Sequence, residues 1–279
     1  MKNLKNLIGD KYFVFIQFIK DSLNNDWFLE QENKVSTTKF LDTLKKLKIQ
    51  SINHSFIRLG PDSDGGYLVP NALENIKYSF SPGVDYTIGF DAHCKKKGIK
   101  VFLLDILQNK DLINEIEKDY DLTNKFLGTS NNDNTITLES WVKSKEQTIL
   151  EDRNLMLQCD IEGSEYISIL ATPKETLKRF KILVFELHYL NLLKNRIFSD
   201  LFNSFIDKIL EDFVLIHLHP NNGRSAVKID SVLVPKFVEA TFMRKDDLEL
   251  TFTKPVMPHP LDKDNLSYRK SIKLDPIFF

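Results

Sequence analysis

The residues of this chain that could do chemistry gather at the ends of apolar runs. "NLMLQCD" (154–160) stops at Asp160, with Glu162 two residues on. "KILVFELH" (181–188) ends in Glu186 and His188, and "FVLIHLH" (213–219) carries His217 and His219. Residues two apart on a strand face one side. Glu186 and His188 can therefore converge, as can His217 and His219. Carboxylates beside imidazoles make either a general base or a metal site. Asp160, Glu186, His188 and His219 are the candidate catalytic residues. Asp160, Glu186 and His188 are also the candidate ligands for a divalent ion, Mg²⁺ or Mn²⁺. Taken singly, each histidine reads as a satisfied structural residue and each acid as a helix cap. Taken together they read as functional, because burying several ionisable groups is costly without a purpose.

Two earlier runs end in a similar way. "IKYSFS" (76–81) leads into "SPGVDYTIGFD" (81–91), a turn with Gly83 and Asp85 that opens a helix. "IKVFLLD" (99–105) ends in Asp105. A carboxylate there can accept both hydroxyls of a ribose. An acid also ends many strands merely as a cap, and no full G-x-G-x-x-G run is present. "PDSDGG" (61–66) fails as a calcium loop, because Gly60 and Asn71 stand where the first and last ligands belong. Its Gly65-Gly66 pair predicts a tight turn or a close backbone approach. Asn221 and Asn222 in "PNNGR" either form a turn or bind a polar substrate.

These ends need a sheet to hold them. Besides the runs already quoted, "KFLGT" (125–129) and "FVEATFMRK" (237–245) read as strands. Helical patterns at 111–120, 137–147, 164–180 (broken at Pro173) and 198–213 separate them, with Thr137 as a cap signal. Near-continuous apolar strands alternating with helices predict a doubly wound, mostly parallel α/β sheet. Ligands bind such sheets at the carboxyl ends of the strands. Residues 1–53 carry helical spacing at Phe13 and Ile16 and at Phe40, Leu44 and Leu47, and read as a helical extension before a domain spanning 54–279. Its apolar stripe is too narrow for an independent core, so the extension is expected to pack on or beside the sheet domain, where it could cover the cofactor or join a homodimer. "RLGPDSDGGYLVP" (58–70) predicts a turn followed by a short extended segment, and the Pro-rich tail predicts an irregular cover.

With 42% hydrophobic and 28% charged residues, the 279-residue chain can bury a sizeable core. A net charge of −1 gives no sign of a nucleic-acid partner or an anionic membrane surface. The longest early apolar run, 12–19, is too short to span a bilayer. Two cysteines make no disulfide framework, so a cytoplasmic location is expected.

The segments "RLGPDSDGGYLVP", "YSFSPGVDYTIGFD", "TLESWV", "CDIEGSEYISIL", "VFELH" and "HLHPNN", in that order, resemble the FkbM-type S-adenosylmethionine-dependent methyltransferases. More narrowly they look like the branch marked by a D-G-G-Y segment and an E-L-H strand end. The resemblance runs from about Arg58 to Lys245 and leaves residues 1–53 uncovered. It implies a class I methyltransferase fold, Rossmann-like, with seven strands, the last antiparallel, and helices on both faces. It implies S-adenosylmethionine as methyl donor and oxygen methylation of a sugar or another small polar acceptor. By position, Ser81, Gly83 and Asp85 fall in the cofactor loop, Asp105 at the ribose and Asp160 near the reacting methyl. The loop reads Ser-Pro-Gly-Val-Asp, and Pro82 has no amide to donate. A metal-dependent hydrolase using the Asp/Glu/His cluster is the alternative. A nicotinamide-dependent oxidoreductase and a non-catalytic binding module follow.

Overall fold

A computed structural model of the chain describes residues 33–84, 88–145, 149 and 151–279. The apolar run at 12–19 and Asp85 lie outside them. Seven strands form the central sheet: β3 (Tyr78–Pro82), β4 (Lys100–Leu104), β5 (Asp121–Thr123), β8 (Leu155–Cys159), β9 (Phe180–Leu187), β10 (Phe213–Pro220) and β13 (Val238–Arg244). Their order across the sheet is β10-β13-β9-β8-β3-β4-β5. β3, β4, β5, β8 and β9 run parallel, whereas β13 is antiparallel to both its neighbours, β9 and β10. The order reverses at β3, so the crossovers leave toward opposite faces from there.

Except at β5, the sheet strands form where they were expected, because they are covered on both faces and can be apolar throughout. Along β9, Leu183, Phe185 and Leu187 enter one core cluster while Ile182 and Val184 enter the other. The first cluster is rich in aromatic rings. Phe80, Phe102 and Phe180 from the sheet meet Trp141 of α4 (Leu138–Lys143), Tyr166 of α5 (Glu165–Ala171), and Phe198, Phe202 and Phe205 of α7 (Arg196–Asp212). α6 (Lys174–Leu177) follows the break at Pro173, and Thr137 caps α4 by accepting from the Ser140 amide. On the opposite face lie α2 (Gly89–Lys96) and α3 (Lys110–Glu117).

Three features depart from the sequence reading. The segment 58–70 is a hairpin, β1 (Phe56–Leu59) paired with β2 (Tyr67–Pro70), rather than a turn before one extended piece. It lies over β9 and β13, and Thr241 donates its hydroxyl to the Leu68 carbonyl at 2.6 Å. The third sheet strand is Asp121–Thr123, not 125–129. Phe126–Leu127 (β6) pairs instead with Thr135–Ile136 (β7). An edge strand needs only one apolar residue, here Leu122, so it leaves no apolar run to read. A second hairpin, β11 (Val227–Ile229) with β12 (Val232–Val234), was not anticipated.

Of the first 53 residues, the described part includes one helix, α1 (Thr37–Lys45), capped by Ser36. Val35, Phe40, Leu44, Leu47 and Ile49 are buried in the same aromatic-rich core as the sheet. Residue 53 therefore marks no break in the packing. Among the described residues, no helix is long and apolar enough to cross a membrane.

Candidate active site

β8 delivers Asp160 and β9 delivers Glu186 and His188 to one place. Glu186 follows Ile182 and Val184 on one face of β9, and His188 lies two residues further on. The imidazole is buried, 1% exposed, with Nε2 3.7 Å from Asp160, 3.8 Å from Glu186 and 3.9 Å from Glu162. One ligand atom from each of Asp160, Glu186 and His188 falls within 4.8 Å of the others. The expected convergence of these three residues is present.

One member was missed. Glu165, fully buried in the first turn of α5, lies 3.1 Å from His188 Nδ1 and accepts from the His188 backbone amide at 3.2 Å. It also accepts from the Gly163 amide at 2.9 Å. An acid in a first turn reads as a helix-end charge; only its burial against the imidazole reveals another role. Tyr166 fastens the same strand end by donating to the His188 carbonyl at 2.5 Å. Glu162 and Tyr189, at φ 58° and 62°, hold the left-handed conformation on either side of the cluster.

Electrostatics here follow from several acids sharing a buried space. Burial raises the Glu186 carboxyl well above its ordinary value, and the Asp160 charge adds to this. Burial also raises Asp160, although His188 pulls it back. Burial disfavours the charged imidazole, but Glu165, Glu186 and Asp160 outweigh it and raise His188 to about 10. With the acids around it ionised, His188 holds a proton at neutral pH and so donates rather than accepts. It can act as a base only once their charge is neutralised.

Glu186, Glu239 and His219 form a row across β9, β13 and β10 by direct register. Asn221 donates to Glu186 at 2.6 Å, and Asn265 donates to Glu239 at 2.8 Å and to Asp64 at 2.7 Å. Asp64 belongs to the β1–β2 loop, which Arg58 holds by donating to the carbonyls of Pro61 and Ser63. A Cβ at Gly66 would lie 2.1 Å from the Pro61 carbonyl, so the glycine pair does serve a close approach. A cavity of about 200 Å³ opens here, lined by Asp64, Glu186, His188, Asn221, Arg224 and Phe237. Asn221 thus reaches the cavity, whereas Asn222 ties down the tail through Leu266.

His219 does not share that cavity. It lines a separate one of about 530 Å³ with Met257, Ile272 and Leu274 of the tail. Asp262 stands between His217 Nε2 at 2.9 Å and His219 Nδ1 at 3.6 Å. Burial lowers the His219 pKa, but Asp262 and Glu239 outweigh it and the net shift is upward. The strand spacing did predict that the two histidines share a side. It did not show that the tail would supply their partner.

On the expected donor side, Gly83 adopts φ 91°, and a Cβ there would fall 1.6 Å from the Asp160 carbonyl. Only glycine lets β3 and β8 end this close together. Asp105 lies beside that turn, accepting from the Val84 amide at 2.9 Å and from its neighbour Ile106 at 2.7 Å. Each of its carboxylate oxygens thus accepts from a backbone amide at the strand ends. Ser81 points elsewhere: it is buried and donates to Gln158 at 2.5 Å, beneath Tyr67. The strand's two-residue alternation turns it to the packed face.

No known protein family matches the chain, and no curated protein matches it either.

Proposed function

We propose that the protein is an S-adenosylmethionine-dependent O-methyltransferase of the FkbM type, with a class I methyltransferase fold and a sugar or other small polar acceptor. The observation that carries this reading is the sheet order β10-β13-β9-β8-β3-β4-β5 with β13 antiparallel. It is the seven-stranded arrangement that the motif resemblance implies. Gly83 and Asp105 at adjoining strand ends fit a nucleoside-bearing donor, and Asp160 lies between them and the acceptor cavity. The donor would supply an electrophilic methyl group. The chain's own residues do the rest. Asp64, Glu186 and Asn221 offer hydrogen-bond partners to several hydroxyls, and Phe237 offers an apolar face to a ring. Held in line, one hydroxyl gives up its proton to His188 where the surrounding acids are neutralised by protons and Nε2 is free, and to Asp160 otherwise. Positioning supplies much of the rate, and the base roughly a further 10²–10⁴-fold.

Calorimetry tests the reading. S-adenosylhomocysteine should bind and NAD should not. Asp105→Ala should weaken that binding by about 1–3 kcal/mol, the cost of unpaired ribose hydroxyls. His188→Ala should abolish turnover with donor affinity nearly intact. Absence of S-adenosylhomocysteine binding to the intact protein would overturn the proposal. The metal-dependent hydrolase remains the second reading, favoured by the Asp160–Glu186–His188 cluster alone.

A further inference from the structure

We infer that Asp160, Glu186 and His188 hold a divalent first-row cation, and that Glu165 is the positioning residue that aims the imidazole at it. This deepens the proposed function but does not depend on it, since the inference rests on the geometry of the cluster.

The first observation is spacing. His188 Nε2 lies 3.7 Å from Asp160 Oδ1 and 3.8 Å from Glu186 Oε2. These separations exceed hydrogen-bond length. They fall within the roughly 3–4 Å that separates two ligand atoms sharing one ion at bonds of about 2.1 Å. Nε2 makes no hydrogen bond among the described residues, although the ring is 1% exposed and aimed at the cavity.

The second observation is the other ring nitrogen. Nδ1 lies 3.1 Å from Glu165 Oε1 and 3.1 Å from the Glu186 carbonyl. Both partners are acceptors, so Nδ1 carries the proton. With the proton there, a neutral ring presents a lone pair at Nε2. A carboxylate behind a histidine, fixing its tautomer and orientation, is a recurring support of metal-binding imidazoles. Glu165 is itself fully buried and anchored by the Gly163 and His188 amides. It therefore has no freedom to serve as a ligand and every constraint needed to orient one.

The third observation is charge. Asp160, Glu162, Glu165 and Glu186 surround a single imidazole, and Arg224 at the cavity wall sits over Phe237 at 5.9 Å rather than against these acids. A doubly charged ion supplies the missing positive charge. Two carboxylates and one imidazole suit Mn²⁺, Fe²⁺ or Zn²⁺, with Mg²⁺ the weaker choice because of the nitrogen ligand. Asp160 is 28% exposed and Glu162 78%, so the ion has a way in.

The test uses the full chain and Mn²⁺ followed by electron paramagnetic resonance. One Mn²⁺ per chain should bind. Asp160→Asn and His188→Gln should weaken it at least 100-fold, and Glu165→Gln by 10–100-fold. Circular dichroism and thermal melting check that each variant folds. Asp160, being partly exposed, keeps the test decisive if the buried Glu165 variant does not fold. Zn²⁺ should displace the bound Mn²⁺. Failure of the wild-type chain to bind Mn²⁺ at millimolar concentration, or binding that Asp160→Asn leaves unchanged, would overturn the inference. S-adenosylhomocysteine calorimetry on the same samples reports separately on the methyltransferase reading, so the two can fail independently.

Discussion

Asp91 sits in the first turn of α2 with Oδ1 buried and without a partner, facing Ser81 and Cys94 beneath the hairpin. Burial raises its carboxyl from 3.8 to about 6. The folded protein therefore binds this proton more tightly than the unfolded chain. Its contribution is most favourable below pH 3.8, declines as pH rises to about 6, and stays lost above that. Asp91→Asn should then be more stable than the parent by about 2–3 kcal/mol at pH 8, with the gap closing toward pH 4. Urea titrations at the two pH values would check this; an equal gap at both would disprove it. Gly83→Ala should act in the opposite sense. A methyl group 1.6 Å from the Asp160 carbonyl, at φ 91°, forces β3 and β8 apart. A loss of several kcal/mol and a displaced Asp160 are expected, read by thermal melting and by weakened S-adenosylhomocysteine binding. At this scale the sequence showed Asp160, Glu186 and His188, because strand spacing fixes which side chains share a face. Glu165 and Glu239 were not legible, since an acid's burial depends on what packs over it.

Among the elements, the hairpin β1–β2 matters most to the site. It carries Asp64 and Tyr67 over the sheet, and Tyr67 donates to Asp160 at 3.3 Å. Thr241 is its tie from below. Thr241→Val keeps the shape but leaves the Leu68 carbonyl without this donor, at a cost of about 1–3 kcal/mol. Amide hydrogen exchange should quicken across 56–70 while α7 stays protected. Uniform change across both would mean that the hairpin opens only with the whole fold. Continuous apolar strands and the amphipathic α7 were readable because burial on a full face imposes a period on the sequence. The hairpin's first strand was not, because "FIRL" is only half buried and carries Arg58. The strand at 121–123 was hidden for a similar reason, being short and at an edge.

For the molecule as a whole, the region before residue 54 decides most. Nothing in the motif pattern covers it, and its narrow apolar stripe predicts helices packed on or beside the sheet domain rather than an independent core. Val35, Phe40, Leu44, Leu47 and Ile49 complete the core that α7 and the sheet begin. The C-terminal segment and the sheet are tied to this region as well: the Ile49 amide donates to the Phe278 carbonyl at 2.8 Å, and the Gln50 amide to the Leu215 carbonyl at 2.9 Å. The exposed pairs Lys39–Asp200 and Lys46–Asp207 add little. Burial of the five side chains is worth about 1.5–3 kcal/mol each as an upper bound, which rivals the roughly 5–15 kcal/mol net stability of an ordinary domain. A chain beginning at Ser55 would also uncover the side of α7 that carries Asn203, which donates to Thr43 of α1. It should therefore bind a hydrophobic dye, melt without a cooperative transition and lose S-adenosylhomocysteine binding, although none of the residues assigned to donor or acceptor is removed. Differential scanning calorimetry of that truncation against the full chain would decide the matter. A single sharp transition near the full chain's Tm would show that residues 33–53 cover a core already complete without them.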